Sequence, residues 1–312
     1  METSRTDQPV LLALRALKLG DLLVAVPALH ALRRAFPGHR RLYAAQGWLA
    51  DAVELVGGWE LLPTHGLDVP IPLPPGVVDA AVNLHGSGPE SHHRVARLDA
   101  GRVITHQGAG FSGPPWQESL AERERWTSLL QWHGIEADPL ELHLQPPAVA
   151  SPAPGAAVVH VGAAYGSRLW PVDRFAAVAS RLAAAGHQVL FTGSQAERER
   201  ALTVASLAGL PSSTVVAGEL SLAEFAAAVA AAGLVFSADT GAAHLASAYG
   251  TPSVVLFGPA PVEIWGPPPG PHLTLTRAEL RRGDTFASTP DPALLAVTVD
   301  DSLAAIRELK LL

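Results

Sequence analysis

The sequence predicts an α/β protein of two domains, each built on a parallel β-sheet. Apolar runs that suit buried strands alternate with amphipathic helical segments through both halves of the chain. The segment 145–155 has four prolines in eleven residues, a composition that continues neither a helix nor a central strand. The length of 312 residues also favours two domains, because single cores usually stop growing near about 250–300 residues. We therefore predict domains at 1–145 and 156–295, followed by a terminal helix within 296–312, for which packing back on the N-terminal domain is left open.

The hydrophobic periodicity sets the order of elements within each half. Runs of four to eight apolar residues predict strands, and apolar residues at helical spacing predict helices. In the N-terminal half the predicted strands are 10–16, 41–45, 77–84 and 103–105, and the predicted helices are 22–36, 49–56, 91–98 and 118–134. In the C-terminal half the predicted strands are 157–161, 188–192, 215–216, 234–239 and 253–257, and the predicted helices are 172–185, 197–207, 222–232, 242–249 and 301–311.

Composition and charge exclude several classes of protein. A net charge of −7 argues against a general nucleic-acid binder, which needs a basic surface to neutralise phosphates. The absence of cysteine excludes disulfides, thiolate nucleophiles and cysteine-ligated metals. No segment is apolar for the roughly 18 residues that a membrane span needs, and residues 1–9 do not resemble a signal peptide. We expect a cytoplasmic protein, with peripheral membrane contact left open.

The segment 233–267 carries the first candidate site. A strand ends at Asp239, and Thr240-Gly241 opens a helix, so the turn between them is suited to hold an anion such as a diphosphate. The next strand ends at Gly258, and neighbouring strand ends in an open α/β sheet often form a small-molecule site. His244 either faces Asp239 or the ligand, or is a half-buried helix histidine.

Two further residues admit both a functional and a structural interpretation. Asp21, after Gly20 at the end of the first strand, is either a general base for a hydroxyl group or a cap of the following helix. Arg168, in the loop 162–171, either meets a phosphate or is a surface charge. The glycine spacing of this loop fits neither the dinucleotide fingerprint nor the P-loop, which weakens the case for an oxidoreductase or an NTPase.

Histidines and carboxylates give no clear metal site in the sequence. His85, His92 and His93 match no standard zinc spacing, so they either line an acceptor pocket, face solvent or bind a metal. No Asp-x-Asp pair is present to hold a Mg²⁺ ion that bridges a nucleotide diphosphate. Positive charge and helix N-termini would then have to neutralise a diphosphate.

Several motifs together resemble glycosyltransferase family 9, the ADP-heptose heptosyltransferases. These motifs are Gly20-Asp21 with Pro27, Leu29 and Leu32, then Gly162 with Arg168-Leu169-Trp170-Pro171, then Gly186-His187-Gln188-Val189, then Asp239-Thr240-Gly241 with His244-Leu245-Ala246, and finally Phe257-Gly258-Pro259. They occur in the family's order across both halves. The resemblance implies a GT-B fold, in which two Rossmann-like domains face a central cleft, with the acceptor on the first domain and the nucleotide sugar on the second.

The resemblance also implies roles for individual residues. Asp21 matches the catalytic base of an inverting, metal-independent transfer of heptose, or a related sugar, from an ADP-sugar to a hydroxyl group. Donor-binding residues would be Gly20, Ser167, Arg168, Asp239, Thr240, Gly241, His244 and Gly258, and acceptor-binding residues would be His85, Ser87, Ser91 and His92. The partners would be a nucleotide sugar and a glycan or natural-product acceptor, with no further cofactor and no metal. The alternative is a non-catalytic nucleotide-sugar-binding protein of the same fold.

Overall fold

A computed structural model describes residues 8–312 of the chain. Residues 1–7, which form most of the segment compared with a signal peptide, lie outside the described residues. The chain divides after Gln145 into two compact units, called here the N-terminal unit and the C-terminal unit. Residues 146–155 form neither helix nor strand, as their proline content leads one to expect.

The described part of the N-terminal unit contains a five-stranded parallel sheet. Its strands are β1 (Val10–Leu14), β2 (Arg40–Ala45), β3 (Glu60–Pro63), β4 (Val78–Asn83) and β5 (Arg102–Ile104), and its helices are α1 (Leu19–Val24), α2 (Val26–Ala35), α3 (Ala50–Val56), α4 (Pro89–Ala96) and α5 (Glu122–Trp132). The strand order is β3-β2-β1-β4-β5. All five residues of β1 are buried, which is typical of a central strand with both sheet faces covered.

The predicted helix 22–36 consists of two helices that meet at Ala25. Pro27 lies in the first turn of α2, where the missing N–H of proline has no intrahelical partner to lose. The proline therefore starts a new helix and does not bend a long one. As a result, α1 is a helix of six residues that carries Gly20 and Asp21 close behind β1.

The C-terminal unit contains a second five-stranded parallel sheet. Its strands are β6 (Ala157–His160), β7 (Val189–Thr192), β8 (Leu234–Ala238), β9 (Ser253–Leu256) and β10 (His272–Leu275), and its helices are α6 (Val172–Ala184), α7 (Arg198–Leu207), α8 (Leu222–Ala230), α9 (Gly241–Tyr249), α10 (Val262–Trp265), α11 (Pro292–Leu295) and α12 (Val299–Glu308). The strand order is β10-β9-β8-β6-β7. Trp170, Phe175 and Phe236 meet edge to face in its core, with ring centroids 5.2–5.8 Å apart.

The strand order predicts where a ligand binds in each unit. The chain reverses its direction of travel across the sheet between β1 and β4 in the N-terminal unit, and between β6 and β8 in the C-terminal unit. Ligands in open α/β sheets bind at the carboxyl ends of strands beside such a switch point. Asp21 follows β1 and Asp239 follows β8, so both candidate residues are close in sequence to a switch point.

The structure differs from the sequence predictions mainly at the sheet edges. The edge strands β3 and β10 were not predicted, because β3 ends in proline and is only partly buried, and β10 follows a proline-rich segment. The predicted strand 215–216 is wrong, since Val215 forms a single isolated bridge with Phe191.

The C-terminal segment 296–312 contains the predicted terminal helix, for which packing on the N-terminal domain was left open. Its helix is α12, and the residues that α12 buries, including Leu303 and Ile306, belong to the hydrophobic core of the C-terminal unit. Arg277 on the segment after β10 also pairs with Asp301 of this helix at 2.9 Å.

Candidate functional site

The strand, turn and helix that the sequence predicts around Asp239 are present in the structure. Asp239 follows the strand directly, and its amide donates to the carbonyl oxygen of Leu256 on β9 at 3.0 Å. Thr240 is the N-cap of α9 with an extended backbone, and Gly241 is the first residue of the helix. Because the first amides of a helix have no intrahelical acceptor, this turn is suited to an anionic ligand.

Arg168 and His244 converge on Asp239. Arg168 lies in a short 3-10 helix, Gly166–Arg168, and its Nη1 is 3.2 Å from both the backbone oxygen and Oδ2 of Asp239. His244 lies on α9, with Nε2 3.6 Å from Oδ1 of Asp239. The side chain of Asp239 is only 4% exposed. The structure thus brings Arg168, which is 71 residues away in the sequence, to the local pair Asp239 and His244.

Several buried polar atoms in this group have no hydrogen-bond partner in the described part of the chain. They are both carboxylate oxygens of Asp239, Nε of Arg168 and Oγ1 of Thr240. Arg168 is close enough to Asp239 for an ion pair, but its N–H groups are not oriented for a hydrogen bond to the carboxylate oxygens. Since buried polar groups are nearly always satisfied in native proteins, this group is arranged for a polar ligand.

Arg281 is a second arginine of this site, and sequence reasoning missed it. It follows the 3-10 helix Ala278–Leu280, and its Nε donates to the carbonyl oxygen of Gly258 at 3.1 Å. Its Nη2 is buried without a partner among the described residues. Arg281 could have been identified from the sequence only if the edge strand β10 had been recognised, because Arg281 comes soon after that strand ends.

Ser167 and Gly258, both predicted to bind the donor, have clear packing roles. Ser167 is fully buried, and its hydroxyl donates to the carbonyl oxygen of Thr285 at 2.8 Å. A Cβ atom on Gly258 would lie 2.9 Å from Cβ of Leu294 and 3.4 Å from the carbonyl oxygen of Ser167. The two residues therefore hold the loop of Arg168 and the end of β9 close together.

The carboxylate of Asp21 in the N-terminal unit caps the start of α1 and is also partly exposed to solvent. Its Oδ2 accepts a hydrogen bond from the Lys18 amide at 3.1 Å, which satisfies one free amide at the start of α1. The side chain is 24% exposed, so the carboxylate remains accessible from solvent. Gly20, predicted to bind the donor, precedes Asp21 in the first turn of α1.

Arg15 is the buried residue that holds Asp21, and sequence reasoning missed it as well. Its Nε donates to the backbone oxygen of Asp21 at 2.6 Å, and its Nη2 lies 3.4 Å from Oδ1 of the same residue. Nη1 donates to the carbonyl oxygen of Leu84, and Nη2 also lies 3.3 Å from Oε2 of Glu122. A charged residue at the end of an otherwise apolar run is the sequence signal that could have identified it.

The four predicted acceptor residues occupy two different kinds of environment. His85 and Ser87 are partly exposed, whereas Ser91 and His92 are buried. The Ser91 hydroxyl donates to the carbonyl oxygen of Gly88 at 3.0 Å, and the two ring nitrogens of His92 lie 2.9 Å and 3.0 Å from backbone carbonyl oxygens. These contacts position the loop, so His85 and Ser87 are the members of the set that an acceptor can reach.

His85 is held as a neutral imidazole beside Arg15 and Asp21. Its Nδ1 accepts a hydrogen bond from the Ala16 amide at 3.2 Å. Burial, and to a smaller extent the positive charge of Arg15, lower the pKa of His85 to about 4, although the Asp21 carboxylate opposes both effects. A ring that stays neutral near pH 7 can act as a hydrogen-bond partner without adding charge to the site.

The three histidines considered as a metal site do not gather around one point. Both ring nitrogens of His92 face backbone carbonyl oxygens, and His93 is exposed. Within residues 8–312 the group with metal-ligand spacing is a different one, His30, Glu141 and His143.

Comparisons with known proteins identify relatives of the whole fold and of part of the sequence. Residues 132–289 match the model of glycosyltransferase family 9 (heptosyltransferase). The chain is 35% identical over 130 residues to lipopolysaccharide heptosyltransferase 1 of Pseudomonas aeruginosa, a match that covers 41% of this chain and 34% of that protein. The matched segment thus spans about a third of this relative's length.

Two solved structures are similar over nearly their full lengths. A family 9 glycosyltransferase from Veillonella parvula has a TM-score of 0.76 at 18% identity, with 98% of each chain covered. The E. coli heptosyltransferase solved with ADP has a TM-score of 0.71 at 18% identity, with 96% of this chain and 99% of that chain covered. These likenesses confirm the predicted α/β fold of two Rossmann-like domains. No helix in the described range 8–312 has both the length and the apolar character that a membrane crossing requires.

Proposed function

This chain belongs to glycosyltransferase family 9, and from that membership we propose that it transfers a heptose, or a related sugar, from an ADP-activated donor to a hydroxyl group. Family 9 is a family of heptosyltransferases, and the similar E. coli enzyme was solved with ADP. The observation that carries the proposal is the group of buried polar atoms on Arg168, Asp239 and Thr240 at the start of α9 that have no hydrogen-bond partner among the described residues.

The residues at the end of β8 supply what a nucleotide diphosphate sugar requires. Two guanidinium groups, those of Arg168 and Arg281, have buried nitrogens without partners, and guanidinium groups bind phosphate oxygens well. The start of α9 adds amide donors. The Asp239 carboxylate is an acceptor for sugar hydroxyls, and Arg168 and His244 hold it in place. We infer that these donors, without a carboxylate-held metal ion, neutralise the leaving diphosphate.

Asp21 is the residue that we assign as general base. One carboxylate oxygen is held by the Lys18 amide and the other faces Arg15 at 3.4 Å, so the side chain has a fixed orientation while part of it remains exposed. A general base must be oriented by its neighbours and accessible to the proton it accepts. The cap contact and the catalytic role are therefore compatible.

The proposed reaction is a single displacement with inversion. The acceptor hydroxyl gives its proton to the Asp21 carboxylate while its oxygen forms a bond to the anomeric carbon. The bond between that carbon and the diphosphate oxygen breaks, and ADP leaves with the electron pair. Fixed cations and amides that meet this developing charge lower the barrier without reorganising. Attack from the face opposite ADP inverts the anomeric configuration.

The acceptor is proposed to be a glycan or natural-product hydroxyl that meets the loop after β4. His85 and Ser87 are the partly exposed members of this loop. Asn83, the last residue of β4, holds this loop. Its Nδ2 donates to the carbonyl oxygen of Gly86 at 3.0 Å, and its Oδ1 accepts a hydrogen bond from the His85 amide at 3.1 Å.

The test separates donor binding from turnover. Calorimetry with ADP, GDP and UDP should show the strongest binding for ADP, and a preference for UDP or GDP would overturn the proposed donor. With ADP-heptose and candidate hydroxyl acceptors, Asp21→Asn should reduce ADP release by about 10²–10⁴-fold, which is the usual contribution of a general base, while ADP affinity stays close to that of the unmodified protein.

Asp51→Asn is the matched control, because Asp51 is also a first-turn carboxylate of a helix in the N-terminal unit. It should leave turnover unchanged. If Asp21→Asn retains full turnover, the assignment of the base is wrong. If the unmodified protein binds ADP and ADP-heptose but shows no turnover with any acceptor, the non-catalytic binding protein becomes the better interpretation.

A further inference from the structure

Three potential metal ligands meet in the N-terminal unit, and none of them is a residue assigned to catalysis. His30 lies on α2, whereas Glu141 and His143 lie on the segment between α5 and residue 145. One ligand atom from each residue falls within 4.8 Å of the other two. Nδ1 of His30 is 3.9 Å from Oε1 of Glu141, and the centroids of the two imidazole rings are 4.5 Å apart.

The alternating burial of residues 141–144 indicates that Glu141 and His143 share one side of their segment. Leu142 and Leu144 are buried, whereas Glu141 is partly exposed and His143 is exposed. The two leucines therefore anchor the segment, and the two residues with ligand atoms share the opposite side, toward His30.

His30 has a free nitrogen aimed into this group. The residue is 1% exposed, and Nδ1 has no hydrogen-bond partner in the described part of the chain. Burial, with smaller contributions from Arg33 and His143, lowers the pKa of His30 to about 4, although the Glu141 carboxylate and a backbone hydrogen bond with Val56 oppose this shift. The ring is therefore neutral near pH 7, which is the form that binds metals.

We propose that His30, Glu141 and His143 bind a divalent transition-metal ion such as Zn²⁺. Two imidazoles and one carboxylate form a common zinc donor set, which leaves a fourth position for water. Bond lengths of about 2.0–2.2 Å bring ligand atoms to roughly 3.3–3.6 Å from one another in a tetrahedral site. Ligand atoms that lie up to 4.8 Å apart must therefore approach one another by up to about 1.2–1.5 Å, and the exposed His143 can supply this movement by rotation of its side chain.

Two arginines shape the affinity of the site. Nη1 of Arg34 lies 2.5 Å from Oε1 of Glu141, and Arg34 is half exposed. Arg33 donates to the carbonyl oxygen of Gly57 at 2.9 Å and adds positive charge nearby. Arg34 orients the carboxylate in the absence of metal, and it can move into solvent when an ion binds.

Bound metal would join α2 to the last segment of the N-terminal unit. This segment ends at Gln145, whose amide donates to the carbonyl oxygen of Leu55 at 2.7 Å, and it leads directly into residues 146–155. A metal ion bound here would therefore fix the end of the N-terminal unit, and none of its three ligands is a residue that we assign to sugar transfer.

The test is direct metal binding by the full chain without an affinity tag. After treatment with a chelator and its removal, the protein is titrated with Zn²⁺ against a chromophoric competitor, and bound zinc is counted by elemental analysis. We expect one tightly bound Zn²⁺ per chain and a rise in the melting temperature on binding. His143→Ala should weaken this site by about 100-fold, because one of three protein ligands is lost, and should abolish the rise.

His93→Ala is the matched control, since His93 is another exposed histidine of the same unit, and it should bind zinc as the unmodified protein does. Because His143 is exposed, its replacement leaves the core intact, so a loss of binding reports on the ligand and not on folding. Absence of a stoichiometric zinc site would overturn the proposal. Equal affinity of the His143→Ala variant would do the same.

Discussion

Replacement of Glu122 by glutamine should destabilise the N-terminal unit and disturb the residue that holds Asp21. Glu122 is the only carboxylate that the described contacts place between two buried arginines: its Oε1 lies 2.9 Å from Nε of Arg125, and its Oε2 lies 3.3 Å from Nη2 of Arg15. Its Oε2 also accepts from Nε1 of Trp126 at 3.1 Å. The Glu122 side chain is 8% exposed and those of both arginines are 2% exposed.

The burial of these groups sets the magnitude of the effect. Removal of one partner of a buried ion pair costs about 3–5 kcal/mol, because a buried charge remains without compensation. Arg15 keeps its contacts with Asp21 and Leu84, and glutamine still offers one oxygen to Arg125. We therefore expect a loss of about 3 kcal/mol in the free energy of unfolding of the N-terminal unit.

Glu124→Gln is the control, because Glu124 is also in the first turn of α5 but is 45% exposed and lies 3.9 Å from its partner Arg123. An exposed pair of this kind contributes less than about 1 kcal/mol. Urea unfolding combined with hydrogen exchange of peptides from β1 would measure the stability of this unit. ADP affinity should not change in either variant, whereas turnover should fall in Glu122→Gln. Equal stability of the two variants would refute the reasoning.

Two further predictions concern Arg281 in the donor site and the buried histidines of the N-terminal unit. Arg281→Gln should weaken ADP binding by about 10-fold, because one charge-assisted hydrogen bond of roughly 1.5 kcal/mol is lost. Arg282→Gln, at the exposed neighbouring position, should leave ADP affinity unchanged. If calorimetry finds equal affinities for the two variants, Arg281 is not part of the donor site. The free energy of unfolding of the metal-free N-terminal unit should fall as the pH drops from about 6.5 toward 4. Burial lowers the pKa values of His30 and His85 to about 4, so in this pH range both residues gain a proton when the unit unfolds. Each residue then reduces the free energy of unfolding by up to about 1.4 kcal/mol per pH unit. His85→Asn, which keeps a side-chain acceptor, should reduce this slope in urea titrations at several pH values; an unchanged slope would exclude His85 as a contributor.

Local patterns were sufficient to predict much of the fold. Continuous apolar runs such as 10–14 and 234–238 became the central strands β1 and β8, because strands buried on both faces carry a strong signal in the sequence. The edge strands β3 and β10 were missed, since partly exposed strands with neighbouring prolines lack that signal. Family motifs identified the GT-B fold, and the comparisons confirmed it.

The candidate site was predictable only where its chemistry is local. Asp239, Thr240 and Gly241 are consecutive, so their placement at a strand end and a helix start could be inferred from the sequence. The placement of Arg281 could not be inferred, because its contact with Gly258 is made in the tertiary structure. The strand that precedes Arg281, β10, was not recognised in the sequence. For Ser167 and His92, the structure shows buried hydrogen bonds to backbone carbonyls, contacts that no spacing rule reveals.

The sequence by itself determined the two α/β halves, the family and the strand-turn-helix segment from Asp239 to His244, because periodicity, turn chemistry and short motifs are properties of neighbouring residues. Only the tertiary structure decided that Arg15 holds Asp21, that Arg168 meets Asp239, and that His30 faces Glu141 and His143. These arrangements depend on which segments the parallel sheets bring side by side. Burial then determines which of their polar groups are left without a partner, and that information is not contained in any local stretch of the chain.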